Sequence, residues 1–219
     1  MENQHTTAEP PGTIAELERR LGAAFRHPLP GPPAQQVLAP VPRPGIRWPD
    51  GASLRRAAVL LLVYPGPEGP TLLLTERAGS LAHHGGQVSL PGGGVDPGES
   101  TEAAALREAA EEVGIDPRGV RVVGDLTPLH IPVSGNTLEP VVGVCDRRPA
   151  FRIDPREVES VIEVPLRALF DTSSVRRERR ERDGIWIDRP YFDLGSHHLW
   201  GATAMVVAEF LTLLGWRHR

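Results

Sequence analysis

The chain has 219 residues, 40% hydrophobic and 24% charged, ordinary usage for a globular protein and unlike a disordered one. Its net charge is −4 and its 24 basic residues are all arginine, so nothing global supports a nucleic-acid coat; a single cysteine, Cys145, excludes an internal disulfide framework and fits a reducing compartment. Glycine and proline, 23 of each without a triplet period, predict a loop-rich chain or one with a proline-rich connector.

In chain order, Met1 to His5 is polar and lacks the basic-then-apolar layout of a signal peptide. Residues 13–25 predict a helix: Thr13 and Glu16 have capping-box spacing, and Ile14, Leu17, Leu21 and Phe25 share a face. His27 to Arg56 holds eight prolines and predicts an extended arm without regular structure. Ala57–Tyr64 is a continuous apolar run, expected as a strand covered on both faces; Pro65–Pro70 is a turn and Thr71–Thr75 a second strand. Val88–Leu90 is a short third strand, and Ser100 or Thr101 caps a helix to Val113 that stops at Gly114. Val120–Val123, Val141–Cys145, Val158–Val164 and Gly184–Asp188 are further strands, with a short helix at Pro165–Phe170. The mixed-sign run Arg176–Asp183 predicts a solvated loop. A last helix, Ala202–Leu214, ends at Gly215. Neither it nor Ala57–Val63 approaches the ~20 apolar residues of a membrane span. The expectation is therefore a cytoplasmic α/β protein without a membrane partner, organised as a helix and proline-rich arm over residues 1–50 and one domain over 51–219.

The chemistry is concentrated between Gly93 and Ile115. Glu108, Glu111 and Glu112 lie at i, i+3 and i+4, so a helix crowds their carboxylates on one face, a costly arrangement unless a cation sits among them. Oxygen ligands suit Mg²⁺ or Mn²⁺ rather than structural zinc. Glu99, just before the helix, is within reach of the same cluster, and Arg107 is placed to hold one carboxylate in a fixed rotamer. The turn Pro91-Gly92-Gly93-Gly94 lets a main-chain carbonyl approach as a further ligand. A solvated face with intrahelical ion pairs is the plainer reading of a Glu-rich helix, but it leaves the glycines and Glu99 unexplained.

These residues resemble the Nudix box. Gly93, Glu99, Arg107, Glu108, Glu111, Glu112, Gly114 and Ile115 match in register; only Ala109 is smaller than the usual aliphatic. The resemblance implies the Nudix fold, a mixed β-sheet sandwiched between α-helices, and hydrolysis of a nucleoside diphosphate linked to another group. It implies Glu108 and Glu112 as metal ligands, Glu111 as a further ligand or the base, and the carbonyl of Gly92 as an added donor. The implied mechanism is metal-assisted displacement at phosphorus by water, with a carboxylate accepting the proton.

Leu73-Leu74-Thr75, Arg77-Ala78, Gly86 and Pro91-Gly92-Gly93 are similar to the motif of the coenzyme A pyrophosphatase branch, and His84 with Gln87 fits that branch's His-any-Gly-Gln. Two positions depart from it: Leu90 replaces Phe, and Ala82 replaces an Arg able to bind phosphate bidentately. Glu157 to Leu166 and Trp200 to Ala204 extend the likeness. The implied substrate is coenzyme A or an acyl derivative, with Arg77, Thr75, Gln87, His84 and Glu157 as candidate substrate-binding residues. The plainer readings are a surface ion pair for Arg77, loop histidines for His83 and His84, and a loop-ordering role for Gln87. The arginines of 176–182 are a candidate source of cations for the 3′-phosphate, offsetting Ala82. Ala82 also keeps open another diphosphate substrate, such as ADP-ribose, NADH or an oxidised nucleotide. A non-catalytic nucleotide-binding module is the rival from another class, and four acidic residues facing a phosphate argue against it. The oligomeric state is open, a homodimer included.

Overall fold

The structure, a computed structural model, describes residues 8–42, 55–79, 86–131, 135–182 and 184–218. Its elements begin with helices α1 (Ile14–Ala24) and α2 (Gly31–Gln36), followed by strands β1 (Arg55–Gly66), β2 (Gly69–Arg77), β3 (Val88–Ser89) and β4 (Gly92–Gly94). Helix α3 (Thr101–Val113) precedes β5 (Arg121–Asp125), β6 (Leu129–Ile131), β7 (Asn136–Val144) and β8 (Val158–Pro165). Helix α4 (Leu166–Phe170), the strands β9 (Val175–Arg182), β10 (Ile185–Asp193) and β11 (His198–Trp200), and helix α5 (Gly201–Leu213) complete the order.

The apolar run Ala57–Tyr64 and the strand that follows it lie within a mixed sheet ordered β3-β2-β1-β7-β5. β1 runs parallel to β7 and antiparallel to β2, with β4 also paired to β1 and β8 to β2. Alternation along β1 sends Val59, Leu61 and Val63 into a core shared with α1, α4 and α5. Ala58, Leu60, Leu62 and Tyr64 enter a second core beneath α3. Helices therefore cover both faces, as the Nudix resemblance implies. The short β6 and β11 were not expected; three residues are too few to leave a periodic signal. Among the described residues no helix is long and apolar enough to cross a membrane.

The N-terminal helix forms as expected, with the Thr13 hydroxyl accepting from the Glu16 N–H at 3.2 Å and Leu17 and Leu21 fully buried. The described part of the arm, up to residue 42, does not stay extended, and residues 43–54 lie outside the described residues. Pro32 and Pro33 fall in the first turn of α2, where an N–H has no intrahelical acceptor to miss and the locked φ suits the helix. Leu38 enters the main core, and Val41 bridges to Asp188 of β10 through N–H to O contacts of 2.9 and 2.8 Å. The fastening point is Glu209, an acidic residue fully buried on α5. Its carboxylate accepts from the Gly31 N–H (3.1 Å), the Thr127 N–H (3.2 Å) and Gln35 Nε2 (2.8 Å), so burial leaves it well supplied with donors.

The run Arg176–Asp183 is also not a loop up to Arg182. It forms β9, paired with β10 from Val175↔Phe192 to Arg182↔Ile185, in a three-stranded sheet ordered β11-β10-β9. Alternation supplies each side of the strand with partners: Glu178 meets Arg189, Arg176 meets Asp193 at 2.9 Å, and Arg179 lies 5.1 Å over the Trp186 ring. Charge density alone argues for solvent; what makes this run a strand is its pairing with β10.

Candidate active site

The site grows from the junction of β4 and α3. Ser100 caps α3 by accepting from the Ala103 N–H at 3.1 Å, and Gly114 ends it in the left-handed region at φ 71°. Ala104, Ala105 and Ala109 are fully buried, so small side chains seat the helix on β1; the small residue at 109 fits this close packing. The glycines then do what a side chain would prevent. A Cβ on Gly92 would stand 2.2 Å from the Ala58 carbonyl oxygen, and one on Gly93 would stand 2.3 Å from a Glu108 carboxylate oxygen. The Glu108 carboxylate therefore rests directly against bare backbone.

Glu112 is the buried member of the cluster, 3% exposed. The Gly92 N–H donates to its Oε2 at 3.1 Å, and Arg77 Nη1 stands 3.6 Å from its Oε1. Burial pushes its carboxyl up to about 7; the charges of Glu157 and Glu108 add to the rise, while the Gly92 N–H and Arg77 oppose it. A desolvated carboxylate among other carboxylates is short of positive charge.

Arg107 holds not one carboxylate but three. It donates to Glu99 at 3.0 Å through both Nε and Nη2, to Glu108 at 2.8 Å and to Glu111 at 3.4 Å, with a further bond of 2.9 Å to the Gly94 carbonyl. Its hydrogen bond holds the Glu99 carboxyl below the ordinary range. Both Glu99 oxygens face this guanidinium, because a tight turn closes the loop through the Glu99 N–H to Asp96 O bond of 3.0 Å. In this arrangement both Glu99 oxygens are engaged by Arg107. Glu111 is the open member, 61% exposed.

The other sequence candidates fall into three groups. Arg77 reaches the box, through Glu112 rather than Glu76 or Glu68. Thr75 does not face open space: it is 1% exposed and its hydroxyl meets Ser89 Oγ at 3.1 Å, tying β2 to β3. Gln87 accepts the Arg77 N–H on its carbonyl at 3.0 Å and Glu157 accepts the Ala78 N–H on its carbonyl at 2.9 Å, so both fix the end of β2 that carries Arg77. Ala82, His83 and His84 lie outside the described residues.

The NUDIX domain family matches residues 54–184, which contain this whole constellation. The chain belongs to the Nudix family. A protein named "Uncharacterized Nudix hydrolase NudL" from Photorhabdus laumondii is 41% identical over 157 residues, 71% of this chain and 82% of that one. Its namesake in Yersinia pestis is 40% identical over 158 residues, covering 71% and 78%. A solved Nudix hydrolase from M. smegmatis, RenU, is 22% identical and covers 77% of this chain and 90% of its own, with a TM-score of 0.49.

Nudix hydrolases act on nucleoside diphosphate derivatives and generally use divalent metal ions. As the side chains stand, no three His, Cys, Asp or Glu among the described residues form a ready cation cage, since Arg107 and Arg77 fill the spaces between the carboxylates. The donor set still fits a hard cation: it is all oxygen, and Glu112 is a buried carboxylate with like charges beside it.

Sequence reading missed two contributors. Arg56 pairs with Glu139 at 2.7 Å and donates to the Thr101 hydroxyl at 2.8 Å, joining β1, β7 and the start of α3. An open cleft of about 290 Å³, lined by Glu76, Val88, His197, His198 and Trp200, lies beside the end of β2, where Glu76 and Arg77 are neighbours. The signal for Arg56 and Glu139 exists only across a parallel strand pair, Arg56 standing one residue from Ala57↔Leu138 and Glu139 one beyond it.

Proposed function

We propose that this Nudix enzyme is a cytoplasmic hydrolase of the pyrophosphate in coenzyme A or acyl-coenzyme A, giving 3′,5′-ADP and 4′-phosphopantetheine species. The observation that carries the reading is the 3.6 Å approach of Arg77 to Glu112. Arg77 belongs to the segment that resembles the coenzyme A branch and Glu112 to the box, so substrate recognition and hydrolysis have one address. In this reading the catalytic domain is residues 51–219, and α1 and α2 of the first 50 residues pack onto it.

Glu108, Glu111, Glu112 and the Gly92 carbonyl would hold Mg²⁺ or Mn²⁺. When bound, such an ion supplies charge neutralisation for the diphosphate and acidity for water. Arg107 keeps Glu108 and Glu111 oriented and leaves Glu111, the exposed carboxylate, to accept the proton of the attacking water. Arg77 binds an anionic oxygen of the diphosphate, a role suited to its planar fork of donors.

The test is a substrate panel with Mg²⁺ or Mn²⁺ and products identified by mass. Coenzyme A and its acyl derivatives are expected to turn over with the highest kcat/KM. Because Ala82 stands where the branch has Arg, ADP-ribose and NADH are the second reading, and preference for either would replace the first.

A further inference from the structure

We propose that the edge of β9 is a self-complementary docking surface on which a second copy of this chain adds its own β9, making an antiparallel two-fold dimer. Among the described residues β9 pairs with β10 alone, so its outer backbone groups form an open edge. Such edges are blunted by charge in many proteins, but here both signs occur along the strand, a glutamate at every third position: Arg176, Arg177, Glu178, Arg179, Arg180, Glu181, Arg182.

A two-fold axis normal to the sheet pairs residues of the same face, and one centred on Arg179 gives a consistent register. It sets Arg177 opposite Glu181 of the partner subunit and Glu178 opposite Arg180 of the partner subunit, and symmetry repeats each pair. Arg177 and Glu181 have no ion-pair partner of their own among the described residues, unlike Glu178, which holds Arg189 and Arg180. The dimer thus pairs the two charges that have no counter-charge among the described residues. The like-charged positions are Arg179, on the axis, and Arg176 opposite Arg182 of the partner subunit; within its own chain Arg179 lies over Trp186 at 5.1 Å and Arg176 meets Asp193 at 2.9 Å. Centring the axis on Glu178 would oppose Glu178 to itself and arginine to arginine, while centring it on Arg180 shortens the overlap to residues 178–182.

Sedimentation equilibrium of the full chain, across the micromolar to near-millimolar range, tests the surface. The wild type is expected to shift toward twice its 23.8 kDa as concentration rises. Arg177→Glu and Glu181→Arg each turn two attractive pairs repulsive, and each is expected to raise the dissociation constant at least about tenfold. The deciding arms are the swaps. The double variant R177E/E181R regains dimerisation, and mixing the two single variants yields a heterodimer, because each then carries the charges the other needs. Far-UV circular dichroism checks that both singles remain folded. A wild type that stays monomeric throughout overturns the proposal. A dimer untouched by either single change overturns it too, and so does a loss that neither the double variant nor the mixture restores.

Discussion

Helix α3 and strand β9 are both rich in charged residues, and they use charge in opposite ways. On α3 a period of 3.6 gathers Glu108, Glu111 and Glu112 toward one side, and β4 lies close enough for Glu108 to rest on Gly93 and Glu112 to take the Gly92 N–H. On β9 a period of two deals charges alternately to both faces of an edge strand, where each finds at most a local partner. Charged residues therefore yield a tense, partly buried cluster in one place and a relaxed surface in the other. What separates them is the neighbour: glycine backbone and a second strand under α3, open solvent beside β9.

Substitutions should break this contrast in a graded way. The largest effect is expected at Glu112. Glu112→Gln should lower kcat on the order of 10³-fold while circular dichroism shows a folded chain, since a group aimed at charge in the transition state is lost and no apolar packing is; near-wild-type turnover would remove Glu112 from the site. Next is Glu209, whose removal leaves buried N–H donors at Gly31, Thr127 and Gln35 unmet. Glu209→Leu should cost roughly 3–5 kcal/mol in denaturant melts.

The pH dependence sharpens the electrostatic half of the comparison. The folded Glu112 carboxyl, near 7, lies above its ordinary 4.5. The folded state then holds a proton that the unfolded chain releases, so this contribution is fully present below pH 4.5 and is lost as pH rises through 7. In metal-free protein the stability of the wild type should fall between those values by about 2–4 kcal/mol more than that of Glu112→Gln. Mn²⁺ affinity, followed by calorimetry, should weaken as pH drops below 7, because protons and the cation compete for one carboxylate.

Smaller effects follow. Gly93→Ala, which sets a methyl 2.3 Å from the Glu108 carboxylate, should reduce kcat about 10–100-fold with little change in Tm. Arg107→Gln should do the same, because three carboxylates lose their common donor. At the far end, Glu181→Gln on β9 should move monomer stability by no more than about 0.5 kcal/mol. A large loss there would erase the contrast between the two segments.

Local patterns were legible in the sequence. The Thr13 cap and leucine face of α1, the doubly covered β1, and the Ser100-to-Gly114 span of α3 all follow from spacing within one element. The arm and β9 misled, each for a physical reason. Proline density argues against helices except in the first turn, where α2 places it, and charge density argues for solvent except where alternate residues pair across a hairpin. The pairing of Arg107 with Glu111 follows from helical spacing, but nothing local could reveal that Arg77 reaches Glu112, because that contact joins segments separated by a strand, a turn and a helix.

By itself, then, the sequence determined which residue types stand one helical turn apart, where backbone is left bare by glycine, and hence which family the chain belongs to. Tertiary structure alone decided which of those carboxylates is buried, which arginine neutralises it, and which charged strand is left at an edge. Spacing along the chain sets the direction of a side chain, whereas its desolvation and its counter-charge depend on what other segments are folded against it.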